Sequence, residues 1–313
     1  MDPAKCKLGL KPPRPEQQKR LLKLRNYTAT LPDPPQSTDY RAKMASWPML
    51  LNDQAGCCVF TSIAHQQLYW ATLDSGNVSL SDNDVLTAYE SLAGYDPQAT
   101  QADGSNPTDG GAVIIDMLNV WRQSGIYGNK LIGYAAVGDL PAPTVNRVEF
   151  QQAVATFGCV NIGINLPAAW QGAAVWRAPR GREQRQYPWS PNSWGGHATT
   201  IIDYDQRYCY VATWGAVIPL EWAAADIYVS EAYVNFDALW FGDDDTSPSG
   251  IDSKMLAYDL SVISGSPIAK PEPLSPAAGF EIVIPGTGSA VHAPARAGDL
   301  VSFGVKNNPK TLP

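Results

Sequence analysis

Two adjacent thiols, Cys57 and Cys58, stand where a polar turn meets an apolar helical pattern. The apolar residues after them recur at the spacing of a helix with one buried face, namely Phe60, Ile63, Ala64, Leu68 and Ala71. Cys58 is therefore predicted in the first turn of that helix, where unpaired backbone N–H groups and the helix dipole favour a thiolate. A thiolate is the species needed for nucleophilic catalysis. The alternative is that both thiols are small buried hydrophobes.

A nucleophilic thiol needs a base, most often histidine, and the chain has 3 histidines. His65 lies on the same predicted helix as Cys58, ~10 Å along the axis at ~1.5 Å per residue, which is too far to take the proton. His292 lies in a tail rich in Pro and Gly. By elimination the candidate base is His197, which stands at the start of a predicted strand. A histidine that merely caps a strand is the alternative.

The remaining patterns predict helices first and antiparallel strands afterwards, which is the α+β class. Alternating apolar and polar residues at 160–166 predict a half-buried strand, and two more strands are predicted at 198–204 and 208–214. Helices are predicted from Cys58, between a Ser81 capping signature and Gly94, over 114–125, over 145–157 and over 220–233. These elements must bring the Cys58 helix against the strand that carries His197.

The loop at 167–196 is rich in tryptophan and arginine, and it directly precedes His197. These residue types dominate binding hot spots, so the loop is a candidate cleft wall or partner anchor. A surface lid with solvated arginines is the alternative. The residues concerned are Trp170, Trp176, Trp189 and Trp194, with Arg177, Arg180, Arg182 and Arg185.

The order of these motifs resembles that of the papain-like cysteine peptidases, in which a Gln precedes the nucleophilic Cys, a His begins a strand, and an Asn-Ser-Trp-Gly segment follows. The counterparts here are Gln54, Cys58, His197 and Thr213-Trp214-Gly215. The chain is most similar to a poorly characterised branch of that family in bacterial and phage genomes. The matching stretches lie within about residues 45–240, at Met49 to Cys58, Gly195 to Ala198, Thr213 to Gly215 and Trp222 to Tyr233.

The resemblance implies a papain-like α+β fold with a helical N-terminal half, a buried helix bearing Cys58, and an antiparallel sheet. It also implies a peptidase or amidase in which His197 activates the Cys58 thiolate and an acyl-thioester forms. Gln54 would stabilise the oxyanion and Thr213 would orient the histidine. The cleft would be lined by Cys57, Trp194, Gly196 and Trp214.

Three positions depart from the family pattern. Gln54 lies four residues before Cys58, whereas the corresponding Gln of papain lies six residues before its Cys. Cys57 replaces an Asp of the branch, so a vicinal disulfide that silences the thiol is conceivable. Thr213 replaces the orienting Asn. Fold and activity are therefore separate expectations.

Charge and composition further limit the possible partners and the cellular compartment. The net charge is −7, but residues 1–25 carry +6 and the remainder −13. A basic arm of this kind is predicted to be a solvated tail or to bind an acidic neighbouring subunit; nucleic acid is a weaker alternative because the arm has no interleaved aromatics. Five cysteines without framework spacing and no signal peptide predict a reduced, cytoplasmic protein, with no membrane span.

The sequence is expected to divide into a basic, Pro-rich arm at 1–45, a papain-like domain at 46–240, and a Pro/Gly-rich extension at 241–313 with short strands. The structural alternative to a hydrolase is an assembly protein, such as a phage virion component, whose arms bind neighbouring subunits in a homo-oligomer or larger particle. No cofactor is expected, because a thiol–imidazole pair needs none. No metal site is expected either, because the acidic loop at 95–111 does not have EF-hand spacing.

Overall fold

A long central helix, α3 (Cys58–Leu73), packs against a six-stranded antiparallel sheet in the computed structural model of the protein. The structure describes residues 2, 5–19, 21–28, 31, 33–73, 78–139, 145–241, 247 and 252–263. These all lie in one compact unit that ends at Pro271, and the second unit, 272–313, lies outside the described residues.

The order of strands across the sheet is β1-β6-β2-β3-β4-β5. The strands are β1 (Leu131–Ala136), β2 (Val160–Leu166), β3 (Gly195–Tyr204), β4 (Tyr208–Thr213), β5 (Ala216–Glu221) and β6 (Val229–Asp237). The other helices are α1 (Pro15–Lys19), α2 (Arg25–Thr28), α4 (Asp82–Ala93), α5 (Ile114–Gln123), α6 (Arg147–Phe157), α7 (Trp222–Tyr228) and α8 (Ser253–Ile263). The α+β class is confirmed.

Local signals in the sequence explain several boundaries. The Ser81 hydroxyl and the Asp84 carboxylate form the predicted capping box at the start of α4, and Gly94 ends that helix with φ 74°. The β3–β4 hairpin turns at 205–207, where the Asp205 carboxylate accepts from the N–H groups of Arg207 and Tyr208.

The helix α3 is buried around most of its circumference, not only along the predicted apolar stripe. Its polar side chains are accommodated by internal hydrogen bonds. Gln66 Nε2 donates to Ser62 O at 3.1 Å, and Gln67 Nε2 donates to Ile126 O at 3.0 Å. On the sheet side, Tyr69 donates to Ile202 O at 2.8 Å. The C-terminal half of the helix is thereby fixed against β3.

Two predictions about the sheet and its surroundings were wrong. The strand at 160–166 is buried on both faces, because the helices α6 and α7 contact β2, and the polar Asn161 donates to Ser62 Oγ on α3 at 2.9 Å. The predicted helix at 220–233 is instead the end of β5, the short α7 and the start of β6. β6 is a strand because it pairs on both sides, with β1 and with β2. The strand β1 and the helix α8 were not predicted.

No helix in the described part of the chain is long and apolar enough to cross a membrane.

Candidate active site

The Cys58 thiol lies at the first residue of α3, fully buried, and faces β3. The backbone N–H of Ala198 on β3 donates to Cys58 Sγ at 3.4 Å. Because Ala198 follows His197 directly, this contact brings the predicted nucleophile and the predicted base to the same end of the sheet. The contact joins residues 140 positions apart in the chain.

The His197 ring is held by two residues at the end of β4. Its Nε2 lies 2.6 Å from Thr213 Oγ1, and its plane stacks on the Trp214 indole with ring centroids 4.0 Å apart. Trp194 packs on the same indole at 5.3 Å. His197 Nδ1 is buried and has no hydrogen-bond partner among the described residues. With Nε2 engaged by Thr213, Nδ1 is the nitrogen left for proton transfer.

An extended stretch of the chain's own N-terminal region, residues 7–11, occupies the cleft beside the thiol; we call it the cleft segment. Lys7 N donates to Asn52 O at 3.0 Å, and Leu10 N donates to Gly196 O at 3.3 Å. The opposite wall is Ala112, whose N donates to Gly9 O and whose O accepts from Lys11 N, both at 2.9 Å. The cleft therefore binds an extended peptide backbone from both sides, in the manner of strand addition.

Glycines allow the cleft segment to approach this closely. A Cβ on Gly9 would lie 1.7 Å from Gly56 O, and a Cβ on Gly111 would lie 1.9 Å from Gly9 O. No side chain fits at either position without moving backbone. The close approach covers Cys58, and the Gly9 backbone N–H acts to lower the pKa of its thiol.

Burial sets the protonation states of the pair. It raises the pKa of the Cys58 thiol to about 11, although the backbone N–H groups of Ala198 and Gly9 act in the opposite direction. It lowers the pKa of His197 to about 3, with a smaller contribution from His65. The prediction that the helix terminus favours a thiolate is therefore wrong for this covered state, because desolvation outweighs the N–H groups. The resting pair is a neutral thiol and a neutral imidazole.

A buried amide that sequence reasoning missed, Asn52, lies six residues before Cys58. Asn52 Nδ2 donates to Lys7 O at 3.2 Å, and Trp214 Nε1 donates to the same carbonyl at 3.2 Å. Asn52 Nδ2 also donates to Ala55 O at 3.1 Å, which fixes the orientation of the amide. The signal that could have found it was the six-residue spacing of papain.

Gln54, the predicted oxyanion donor, is exposed and lies in the turn at 51–54. Its backbone N–H donates to Leu51 O at 2.9 Å. Its role in the site stays a prediction.

The other predicted cleft residues have distinct positions. Gly196 supplies the carbonyl that binds Leu10, as stated above, whereas the Cys57 thiol contacts Leu50 O at 3.7 Å and Thr61 Oγ1 at 3.5 Å. Burial raises the pKa of Cys57 to about 12. Both Cys57 and Cys58 are free thiols, so the vicinal pair is not oxidised here.

The remaining two histidines are accounted for differently. His65 is buried, with Nε2 at 2.8 Å from Pro48 O and its ring edge-on to Trp47. It is part of the core under the site. His292 lies outside the described residues.

The two walls of the cleft are tied together by a carboxylate, Asp109. Its oxygens accept from Gly56 N at 2.9 and 3.0 Å and from the Tyr89 hydroxyl at 2.7 Å. The Tyr89 oxygen in turn accepts from Gly111 N at 2.8 Å. Asp109 thus holds the turn before the thiol against the backbone at 111–112, which binds the cleft segment.

Comparison with known proteins places this arrangement in a structural class. No family model and no curated protein matches the chain. Among solved structures, xylellain, a cysteine protease from Xylella fastidiosa, is similar with a TM-score of 0.52 and 14% identity, over 74% of this chain and 96% of that chain. Procathepsin L 3 from Tenebrio molitor larval midgut gives 0.46 and 14%, over 75% and 76% of the two chains. The Carica candamarcensis protease CMS1MS2 gives 0.42 and 17%, over 64% and 98%.

The likeness to xylellain concerns the fold, and it agrees with the order of elements derived above: a buried helix that begins with a cysteine, then an antiparallel sheet that carries a histidine. The chain therefore has the papain-like fold of the cysteine proteases.

Proposed function

We propose that this protein is a papain-like cysteine hydrolase acting on peptide or amide bonds, held latent by its own cleft segment. The observation that carries the proposal is the cleft segment itself: an extended peptide bound on both sides beside Cys58 and His197. A site that hydrogen-bonds the backbone of one peptide in this way is suited to present another to the thiol.

The chemistry follows from the groups in the cleft. Once the segment leaves, His197 Nδ1 takes the proton of the Cys58 thiol, and the thiolate attacks the carbonyl carbon of the scissile amide. The proton then passes from the imidazolium to the leaving amine as the C–N bond breaks, which leaves an acyl-thioester. Water, deprotonated by the same ring, attacks the thioester, and the acid and the thiol are released.

Asn52 is the side-chain donor that we assign to the oxyanion. In the resting state its Nδ2 already binds a peptide carbonyl, that of Lys7, and it is buried and fixed by Ala55 O. A preorganised donor of this kind costs little reorganisation when charge develops. Thr213 acts as a positioning residue through His197 Nε2.

The latent state follows from the same contacts. The cleft segment excludes substrate and also excludes water, and burial holds the Cys58 pKa high. Departure of the segment reduces that burial, which is the largest cause of the shift, so unmasking and activation of the thiol occur in one step.

The test is alkylation of the folded full-length protein by a small haloacetamide from pH 5 to 9, with the labelled cysteine mapped by mass spectrometry. The comparison is between a variant whose segment cannot seat, Gly9→Ala, and the same variant carrying His197→Ala. Labelling of Cys58 at pH 6 that is lost with His197→Ala supports a thiolate–imidazolium pair. Labelling that rises only near an ordinary thiol pKa of about 8.5 in both variants contradicts the proposal. Hydrolysis is then assayed with a library of short peptides.

A further inference from the structure

A cavity of about 380 Å³ opens beside the cleft segment, with Gly196, the neighbour of His197, in its wall. Leu10 reaches into it: Leu10 N binds Gly196 O, and a Cβ on Gly196 would lie 3.4 Å from Leu10 Cβ. We call it the Glu231 cavity, after the acid in its wall. Residues around it include Leu10, Pro12, Asn165, Asn192, Ser230 and Glu231.

Glu231 is only 2% exposed, and one of its two carboxylate oxygens has no hydrogen-bond partner among the described residues. Its Oε2 accepts from the Tyr233 hydroxyl at 2.7 Å, whereas its Oε1 has no hydrogen-bond partner among the described residues. A buried carboxylate oxygen without a partner is costly, so its presence in the wall of a cavity calls for a ligand.

Leu10 and the unpaired oxygen meet over one glycine. A Cβ on Gly163 would lie 2.8 Å from Glu231 Oε1 and 2.9 Å from Leu10 Cδ2. The resting occupant of the cavity therefore presents a methyl group near an oxygen that needs a donor. The Leu10 side chain has no N–H or O–H group, so it cannot donate to Glu231 Oε1.

No cation of the described chain satisfies Glu231. Lys23 and Gln18 lie with Glu231 around a small adjoining cavity of about 10 Å³, but Lys23 pairs with Asp139 at 4.0 Å. No ion pair to Glu231 within 4.0 Å occurs among the described residues; all those found there join other residues. A ligand can supply the donor that the described residues do not.

We propose that the Glu231 cavity selects a basic side chain, arginine or lysine, of a peptide ligand, and that Leu10 is a weak occupant which such a ligand displaces. The apolar stem of a basic residue suits the surface now covered by Leu10 and bordered by Pro12, and its head donates to Glu231 Oε1. The side-chain oxygens of Asn165 and Asn192 offer further acceptors, which favours arginine with its several N–H groups. As a statement about substrate, this rests on the proposed hydrolase function.

The test is a double-mutant cycle in the full-length protein: wild type, Leu10→Arg, Glu231→Gln and the double variant. The readout is the rate at which haloacetamide labels Cys58 at pH 8, which reports how often the cleft segment leaves. When Glu231 is present, L10R should slow labelling about tenfold or more, because stabilising the bound segment by about 1.4 kcal/mol makes its departure tenfold less frequent. In E231Q, L10R should not slow labelling. Leu10→Met, an unbranched but uncharged control, should show no dependence on Glu231. Equal effects of L10R in both backgrounds would overturn the inference.

A second measurement covers the case in which L10R disturbs folding. The Gly9→Ala variant is titrated with N-acetyl-Arg-Gly-amide or N-acetyl-Leu-Gly-amide, and protection of Cys58 from alkylation is followed. The arginine peptide should protect at a concentration about tenfold lower, and the preference should vanish with E231Q; equal protection by both peptides contradicts the inference. Neither readout requires bond cleavage. Coupling without hydrolysis would refute the hydrolase proposal alone, and hydrolysis without a basic preference would refute only this inference.

Discussion

Gly9 and Gly56 touch backbone to backbone over the thiol, so closely that a Cβ on Gly9 would lie 1.7 Å from Gly56 O. The contact joins the cleft segment to the turn that leads into α3. It is possible because neither residue carries a side chain. Adding a single methyl group at this contact should therefore displace the cleft segment and open the cleft.

The Gly9→Ala variant should expose Cys58. The methyl group cannot be accommodated without moving the backbone. That movement costs more than about 1.4 kcal/mol, the free energy that corresponds to a tenfold change in the equilibrium between bound and displaced segment. We expect at least about tenfold faster alkylation of Cys58 and an onset at lower pH, because less burial lowers the thiol pKa from its resting value of about 11. Gly110→Ala is the matched control, since its Cβ would come closest to the flexible end of the Lys11 side chain, at 3.2 Å, and would lie 3.9 Å from the nearest backbone atom, Thr108 O. Equal labelling of both variants would show that the segment does not mask the thiol.

Asn52→Ala and Gln54→Ala distinguish the two candidate oxyanion donors. In the Gly9→Ala background, loss of Asn52 should lower kcat about 10²- to 10³-fold, the usual effect of removing one such donor. Loss of the exposed Gln54 should change kcat little. Cys58 alkylation, which forms no oxyanion, should stay within a few-fold in both. The reverse order of kcat values would restore the assignment made from sequence.

Thr213→Val tests how His197 is positioned. Valine preserves the shape of threonine but leaves His197 Nε2 buried without its partner at 2.6 Å. We expect a loss of about 1–3 kcal/mol in the free energy of unfolding, measured with urea, and weaker labelling of Cys58 at pH 6 in the Gly9→Ala background. Thr213→Ser keeps the hydroxyl and should rescue both. A serine variant as impaired as the valine variant would argue against a role for the hydroxyl.

Glu231 should make stability fall as pH rises. Burial raises its pKa to about 7 in the folded protein, so folding favours the protonated acid. The stability that this group contributes is full below about pH 4.5 and is lost as pH rises through about 7. The free energy of unfolding of E231Q should therefore rise relative to wild type by about 3 kcal/mol between pH 4.5 and 8, at 1.36 kcal/mol per pKa unit. Glu90→Gln, at an exposed position on α4, is the control; a parallel pH dependence of E231Q and wild type would contradict the prediction.

The sequence by itself determined the elements that depend on near neighbours. The stripe after Cys58, the capping box at Ser81 and the turn at 205–207 are local signals, and each element formed where it was expected. The order of Cys58, His197 and Thr213 predicted the fold, because the papain-like arrangement preserves that order in the chain. The assembly role, the domain boundaries and the bacterial or phage branch stay predictions.

The tertiary structure decided what fills the cleft and what the cleft can select. Trp214 binds Lys7 across 207 positions of sequence, and Leu10 meets Glu231 across most of the domain. No local pattern encodes such contacts, since an exposed basic arm and a cleft-bound segment have the same composition. Distant contacts also explain why β6 and Asn52 were missed. The segment at 229–237 is a strand because it pairs with β1 and β2, and Asn52 is a buried donor because Lys7 lies beside it. Burial, which sets the protonation states of Cys58 and His197, is a property of the assembled fold alone.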